Sequence, residues 1–399
     1  MSDSSDYLIF SKSRSETSWD CARKEYLGYL WGGLGLKPVG TAFELEFGSI
    51  MHEAAAQLAL PHMTARPASR TYLDAPLVFN EARTRMRALG ATMAWDAERS
   101  GAWTCIMEGL LRAFHRVILP AILREFEVID VEQPCLLPLI PEQHAWFVAK
   151  PDLILRSRIT GKLWYWEHKS TGSDDAKWIN SWTKAVQVHT GLKAAERLYG
   201  EPFDGCYVLG WYKGYHDRYN NIQVSPFSYG WFSPGAPGVM PDRYEYKEPQ
   251  KWKGWERVAV ANLVEGMAGW VSEMPDEIVH AQFIKTPPLL VREDLIERYL
   301  NQLRKHAYDI RIFQAKANHV ENEAQALQIL DEHFPQAFNK CEPSWGRYNC
   351  AMGEACWSSA VAADPVASGL YRKNDPNSAH RLEFITMIEG QAVPRERKL

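Results

Sequence analysis

Apolar and polar positions along this chain change their period near residue 126. Upstream, apolar residues recur at helical spacing over 11–31, over 47–60 (FGSIMHEAAAQLAL) and over most of 77–125, with a break expected at Arg99–Ala102. The stretch Gly32–Gly40 reads as a loop. Downstream, strand-like runs appear near 128–138, 145–155 and 163–168. A helix is expected from about Trp178 to Leu198, followed by strands at 206–212 and near 222–232. Residues 234–249, rich in Pro and Gly, read as a loop, and 250–272 and 291–317 as two further helices. The rest, from Phe334, is irregular and rich in Cys, Trp and Pro. Strands mixed with helices in this order imply an α/β or α+β fold with a central mixed sheet flanked by helices. The chain divides into a helical region (1–125), a sheet-bearing core (126–233), a second helical region (234–333) and a cysteine-rich segment (334–399).

The chemistry concentrates in AWFVAKPDLILRSRITGKLWYWEHKST. Asp152 closes one strand-like run, and Glu167-His168-Lys169 closes the next, fifteen residues on. Ile159-Thr160-Gly161-Lys162 between them suits a hairpin turn. Two adjacent antiparallel strands then bring both carboxylates and the ammonium to one end of a sheet. Hard oxygen donors without a soft partner suit Mg²⁺ or Mn²⁺. A lysine beside such an ion can orient or deprotonate a water and stabilise charge on phosphorus. The plain alternative is that Asp, Glu and Lys are common residues and the spacing is coincidence.

Composition narrows this reading. At 399 residues, 46% hydrophobic and 24% charged, the chain has material for one large or two ordinary domains. A net charge of −4 argues against a broad phosphate-coating surface but not against a site whose positive charge comes from metal ions. The N-terminus MSDSSDYLIF is neither signal nor transit peptide, and no run approaches the roughly 20 apolar residues that span a bilayer. A soluble, cytoplasmic protein that does not engage a membrane is expected. Seven cysteines do not suit a secreted disulfide framework.

Other residues join the candidate site. His52, on the 47–60 helix, can add an imidazole ligand, or be a capping or core histidine. Gln187, on the helix after the second acid, can hydrogen-bond the lysine, a phosphate or the attacking water, or be a surface residue. Cys341, Cys350 and Cys356 cluster near the C-terminus while Cys21 lies near the N-terminus. Four such thiols can hold an iron–sulfur cluster or Zn²⁺ and tie the chain ends together, or be separate buried thiols. Cys105, Cys135 and Cys206 read as core cysteines. Of sixteen tryptophans most are core or loop anchors; Trp178 and Trp182, one helical turn apart, are the candidates for stacking on bases. Arg14, Arg23, Lys24, Lys177 and Lys184 are candidate phosphate contacts.

Together these residues resemble the PD-(D/E)XK nuclease superfamily, and within it the RecB-type exonucleases, nearest to the iron–sulfur members: CRISPR-adaptation nucleases, helicase–nuclease subunits and phage exonucleases. Pro151-Asp152 with Glu167-His168-Lys169 matches the name-giving motif, Gly48 to His52 matches G-x-x-x-H, and Ser11-Lys12-Ser13-Arg14 with Cys21-Ala22-Arg23-Lys24 resembles S-x-S…C-P-R. The Cys350-to-Cys356 gap reproduces the last gap of the family's cysteine set. The resemblance implies a restriction-endonuclease-like fold and a metal-dependent DNA exonuclease acting at ends or single strands. It implies His52, Asp152, Glu167 and the main-chain carbonyl of His168 as ligands for Mg²⁺ or Mn²⁺, and Asp152, Glu167, Lys169 and Gln187 as catalytic residues. It also implies Cys21, Cys341, Cys350 and Cys356 around a [4Fe–4S] cluster, with Zn²⁺ as the lesser alternative. Partners would be DNA and a recombinase, single-strand-binding protein or helicase, in the cytoplasm of a bacterial or phage-infected cell. The chain departs from the pattern at Ala22, in the long Cys341–Cys350 gap, and at Gly191, where Q-x-x-x-Y has its tyrosine. Rival readings are a non-catalytic DNA-binding or recombination accessory protein on a nuclease fold, and a zinc-stapled structural protein.

Overall fold

The computed structural model describes residues 7–40, 43–65, 71–172, 176–183, 185–217, 222–227, 229–232, 256–259, 271–272, 274–337, 350–375 and 379–390. In chain order the first elements are β1 (Leu8–Ser11), α1 (Lys12–Asp20), α2 (Ala22–Glu25), β2 (Leu36–Pro38), α3 (Phe43–Ala59), α4 (Ala75–Thr92), α5 (Ala97–Ala113) and α6 (Leu119–Glu125). The sheet-forming part follows: β3 (Phe126–Val131), β4 (Cys135–Ile140), β5 (Ala145–Ala149), β6 (Leu153–Ser157), β7 (Leu163–Thr171), α7 (Ala176–Trp182), α8 (Val186–Tyr199) and β8 (Phe203–Tyr212).

Alternation along the strands builds three layers. The central sheet is mixed, in the order Phe283–Lys285, β8, β7, β6, β3, with only β7 and β8 parallel. Leu153, Leu155, Trp166, Leu209 and Trp211 face one way, into a core shared with α3, α4 and α5. Ile154, Leu163, Tyr165, Cys206 and Val208 face the other way, against α8 and the helix Glu293–Ala317. Successive side chains of a strand point to opposite faces, so each strand must be apolar on both sides to sit under two helical layers. This is the mixed α/β, restriction-endonuclease-like architecture expected from the sequence.

A second sheet, in the order β1-β5-β4, lies beside the first. The apolar run expected as one strand at 145–155 is therefore two: β5 belongs to the second sheet and β6 to the central one. Lys150-Pro151-Asp152 carries the chain between them, and Pro151, with no N–H, breaks the ladder there. Asp152 thus opens β6 rather than closing a strand. The run at 128–138 likewise splits into β3 and β4.

Four helical expectations also shift. The helix read over 11–31 is interrupted at Cys21, whose backbone is extended (φ −160°, ψ 114°). The break between α4 and α5 falls at Met93–Asp96, not Arg99–Ala102, because Asp96 caps α5 by accepting from Arg99 N (2.7 Å). Small residues let the two helices touch: a Cβ on Gly90 would lie 2.5 Å from Ser100 Oγ. The 178–198 helix divides into α7 and α8. Finally, Glu256–Ala259, expected as helix, is a strand paired antiparallel with Tyr229–Phe232; the remainder of that stretch up to 270 lies outside the described residues.

The C-terminal segment returns to the N-terminal one. Tyr371–Lys373 pairs antiparallel with β2, and Asn374 Nδ2 donates to the carbonyls of Gly28 (3.0 Å) and Leu34 (2.9 Å). Gly35 is required at this joint: it sits at φ +80°, and a Cβ would fall 2.1 Å from Gly28 O. Helix Ala379–Gly390 lays Phe384, Ile385 and Ile388 on Tyr7, Leu136, Trp146 and Val148. Among the described residues no helix is long and apolar enough to cross a membrane.

Candidate active site

The β6–β7 hairpin sets the register of the site. Ser157 N donates to Lys162 O (2.9 Å) and Gly161 takes φ +70°, closing the turn expected at 159–162. Leu153 then pairs with Trp166, and on the other side Val131 of β3 pairs with Leu153. Glu132, Asp152 and Glu167, each one step beyond these pairs, stand level at one end of three adjacent strands.

Asp152 is 5% exposed and doubly held. Its Oδ2 accepts from the backbone N–H of His168 (2.5 Å), and its Oδ1 contacts His52 Nδ1. His52 arrives on α3, whose apolar positions Phe47, Ile50, Met51, Ala54, Ala55 and Leu58 recur at helical spacing and bury that face. Burial alone would raise the Asp152 pKa, but the His52 charge and hydrogen bond hold it well below the usual carboxylate range. Burial opposes protonation of His52, yet Asp152 keeps its pKa above the ordinary value.

Glu132 is not among the residues singled out from the sequence. Among the described residues, His52, Glu132 and Asp152 form the one group of three ligand atoms all within 4.8 Å of one another. Burial, reinforced by repulsion from Asp152, pushes the Glu132 carboxyl up to about 7, although Lys150 lies 3.1 Å away. Glu132 also holds φ +51°, in the region non-glycine residues seldom occupy, and its N–H donates to Asp152 O (3.1 Å). The signal available beforehand was an acid ending an apolar run; recognising it required knowing that β3 pairs with β6.

Glu167 is placed differently from expectation. Its carboxylate is outside that three-donor group: Oε1 accepts from Tyr165 OH (2.8 Å) and Oε2 from Lys169 Nζ. Burial opposes the charge on Lys169, but Glu167 and Asp152 keep its pKa above the ordinary lysine value. Tyr165 also accounts for the glycine at 191. A Cβ there would lie 2.5 Å from the Tyr165 hydroxyl, so Gly191 leaves the room in which Tyr165 reaches Glu167.

The His168 ring turns to the other face of the sheet. Trp211 Nε1 donates to its Nδ1 (3.1 Å), its Nε2 is buried without a partner, and burial lowers its pKa to about 4. The imidazole therefore stays neutral near pH 7. Lys12, not singled out from the sequence, lies by the site: burial and then repulsion from Lys169 lower its pKa, and its ammonium is 5.6 Å from the centroid of Trp182. Trp182 and Trp178 meet edge to face at 5.6 Å. Trp166 and Trp211 are core residues. Arg14 and Arg23, candidate phosphate contacts, are engaged inside the protein with Glu25 (2.9 Å) and with Phe334 O (2.8 Å). Gln187 stands in the first turn of α8 with its side chain outside the described residues, and Lys184 is outside them as well.

Two carboxylates facing each other, Asp152 buried and Glu132 half-buried and driven towards protonation, suit a divalent cation, which relieves their repulsion. Two oxygen donors and one imidazole fit Mg²⁺ or Mn²⁺. A family model of the PD-(D/E)XK nuclease superfamily matches residues 9–356, reaching from the Ser11–Arg14 helix start through this site to Cys356. The chain belongs to that superfamily. No curated protein matches it in sequence.

The cysteines meet the expectation unevenly. Cys350 and Cys356 pack with Leu27, Leu36 and Met352, beside the N-terminal helices, and Gln336 Nε2 donates to Cys356 Sγ (3.0 Å). Cys21 is buried between α1 and α2. Cys341 lies outside the described residues.

Proposed function

We propose that the protein is a metal-dependent deoxyribonuclease of the RecB type that removes nucleotides from DNA ends or single strands. The observation that carries this reading is the row Glu132–Asp152–Glu167 at one sheet end, with His52 against its middle member and Lys169 against its last. His52, Glu132 and Asp152 would hold Mg²⁺ or Mn²⁺, with Glu167 and the His168 carbonyl as further donors. A bound divalent ion there polarises the phosphate and makes hydroxide available near neutral pH.

The protein groups have distinct tasks. Lys169, kept protonated by its two carboxylate neighbours, donates to the attacking water or to a phosphate oxygen rather than acting as a base. Tyr165 fixes the Glu167 carboxylate from the opposite side. Hydrolysis joins the water oxygen to phosphorus and breaks the bond from phosphorus to the leaving sugar oxygen. Lys12 and the Trp178–Trp182 pair would meet the strand that carries that phosphate.

The same proposal assigns Cys21, Cys341, Cys350 and Cys356 to a [4Fe–4S] cluster that clasps the chain ends. What supports it is the return of the C-terminal segment to β2 and the N–H···S bond to Cys356. Visible charge-transfer absorption of anaerobically purified protein, with iron and zinc analysis, separates iron–sulfur from zinc. Digestion of end-labelled linear, circular and single-stranded DNA with Mg²⁺, Mn²⁺ or EDTA tests the activity. Metal-dependent loss of linear but not circular substrate is expected, and no cleavage with any metal overturns the reading.

A further inference from the structure

Two lysines stand on opposite faces of the sheet end that carries Asp152 and Glu167. Lys12 opens α1, and its ammonium lies 5.6 Å from the Trp182 centroid, on the face covered by α8. Trp178, edge to face with Trp182, closes over the strands: Gly210 pairs with Lys169, and a Cβ on Gly210 would fall 2.6 Å from the Trp178 ring. Lys213 follows β8 at the same end, its N–H donating to the carbonyl of Thr171, the last residue of β7 (2.9 Å). Its ammonium turns to the other face, 5.5 Å from the Phe47 centroid and 5.9 Å from the Trp103 centroid, beside the core shared with α3 and α5. The helix that supplies Phe47 also supplies His52.

Both lysines are short of negative charge. Burial holds the Lys213 pKa below the ordinary value in spite of Glu44. Burial and then Lys169 do the same at Lys12, in spite of Glu16 and Glu167. A half-buried ammonium set against aromatic rings is stabilised by an anion brought to it from solution. The third side of the site turns such an anion away. A cleft of about 470 Å³ between α3, α4 and the end of β3 begins at Glu132, and its rim carries Glu53, Glu81, Glu132 and Glu383 against Arg85 and Lys150. Those two cations are already engaged, Arg85 with Glu53 and Lys150 with Glu132. The excess of carboxylates repels a phosphodiester chain.

We infer that a DNA strand crosses the sheet end from one face to the other, with Lys12 holding a backbone phosphate on one side of the bond to be cut and Lys213 holding one on the other side. The inference rests on the nuclease reading and gives the strand its path. The two lysines set the register of the scissile phosphate over the donor group between them and take no part in bond-making. Contacts of this kind position the strand without reading its bases.

The test uses short single-stranded oligonucleotides in which one linkage is an uncharged methylphosphonate, placed at each position in turn. With Mn²⁺, the first cut by the wild-type protein should slow about tenfold at one linkage on either side of the cut bond, a loss typical of one charged hydrogen bond. Lys12→Met should cut natural DNA about tenfold more slowly and become indifferent to the neutral linkage on one side. Lys213→Met should do the same on the other side, and Lys12→Arg and Lys213→Arg should regain the sensitivity. Sensitivity unchanged in both methionine variants, or lost on the same side in both, overturns the inference and leaves the nuclease standing. Lys213→Met should also melt no lower than the parent, since it removes a charge that burial disfavours. A lower melting temperature with unchanged sensitivity marks a structural lysine and overturns the path. If no DNA is cut, the nuclease reading fails instead, and binding of a fluorescein-labelled oligonucleotide with Mn²⁺ present still decides the path. Each methionine variant should reduce the slope of log affinity against log salt by about 0.7, and slopes equal to the parent's overturn the inference.

Discussion

Two acidic places in this molecule each set carboxylates against a histidine and a longer cation and end in opposite states. At the first, Glu25 is fully buried between Arg14 Nε (2.9 Å) and His306 Nε2 (2.6 Å), joining α2 to the helix Glu293–Ala317. Burial would raise its pKa, but His306 and Arg14 bring it below the ordinary value. At the second, Asp152 has His52, while Glu132 beside it is pushed up to about 7. Arg14 and His306 outweigh burial at Glu25, whereas Glu132 stays raised beside Asp152 even with Lys150 3.1 Å away. A charge deficit maintained in a half-buried site, at the end of a sheet and next to a cleft, points to an ion from outside. A satisfied trio between helices points to stability.

The comparison breaks most visibly through activity. Asp152→Ala should lower cleavage on the order of 10³-fold or more, measured on end-labelled DNA with Mg²⁺, by removing a central metal donor. Its melting temperature should fall as well, since His52 and the buried His168 N–H lose their acceptor, so cleavage is compared per folded molecule. Arg14→Ala should spare that activity: it leaves Glu25 buried without its guanidinium, costing about 3–5 kcal/mol in denaturant unfolding, while cleavage per folded molecule persists.

A smaller loss is expected for Lys169→Ala. It should retain Mn²⁺ binding but lose roughly 3–4 kcal/mol of transition-state stabilisation, two to three decades in rate. Parental cleavage rates for both Lys169→Ala and Glu167→Ala would remove the site assignment.

The pH dependence sharpens the contrast further. The Glu132 carboxyl titrates higher in the folded protein than its ordinary value of 4.5, so it favours the fold below that pH. The contribution is lost as pH rises through about 7. His52, also raised, adds a loss of the same sign over the neutral range. His168, lowered to about 4, adds a gain that is complete by its ordinary value of 6.5, so the metal-free protein should melt at lower temperature as pH rises from about 6.5 to 8, where Mn²⁺ should restore most stability. Glu132→Gln should flatten part of this slope, whereas Glu25→Gln should not. The smallest effect is expected from Gly191→Ala. Its methyl group displaces the Tyr165 hydroxyl from Glu167 and should slow cleavage by about tenfold or less, with metal affinity little changed.

What could be read in advance follows the range of the interaction. The β6–β7 hairpin was legible because turn residues, alternation and both acids lie within one short stretch. His52 was legible through its helical context and motif spacing. Glu132 was not, because its role depends on β3 lying beside β6, a pairing that local pattern does not specify. The split of 145–155 into two sheets turned on Pro151, whose effect depends on which neighbour it would have had to bond. The strand at Glu256–Ala259 was hidden because its partner is Tyr229–Phe232, across a long connection. Gly191, a departure from the family pattern in sequence, became intelligible only with Tyr165 in place.

The most direct test of the charge-deficit account is the anomalous scattering of Mn²⁺ soaked into crystals of the full chain at pH 8. A peak bounded by the donor atoms of His52, Glu132 and Asp152 is expected, with nothing beside Glu25. An intact His52–Asp152 contact with no ion there, at saturating Mn²⁺, would contradict it.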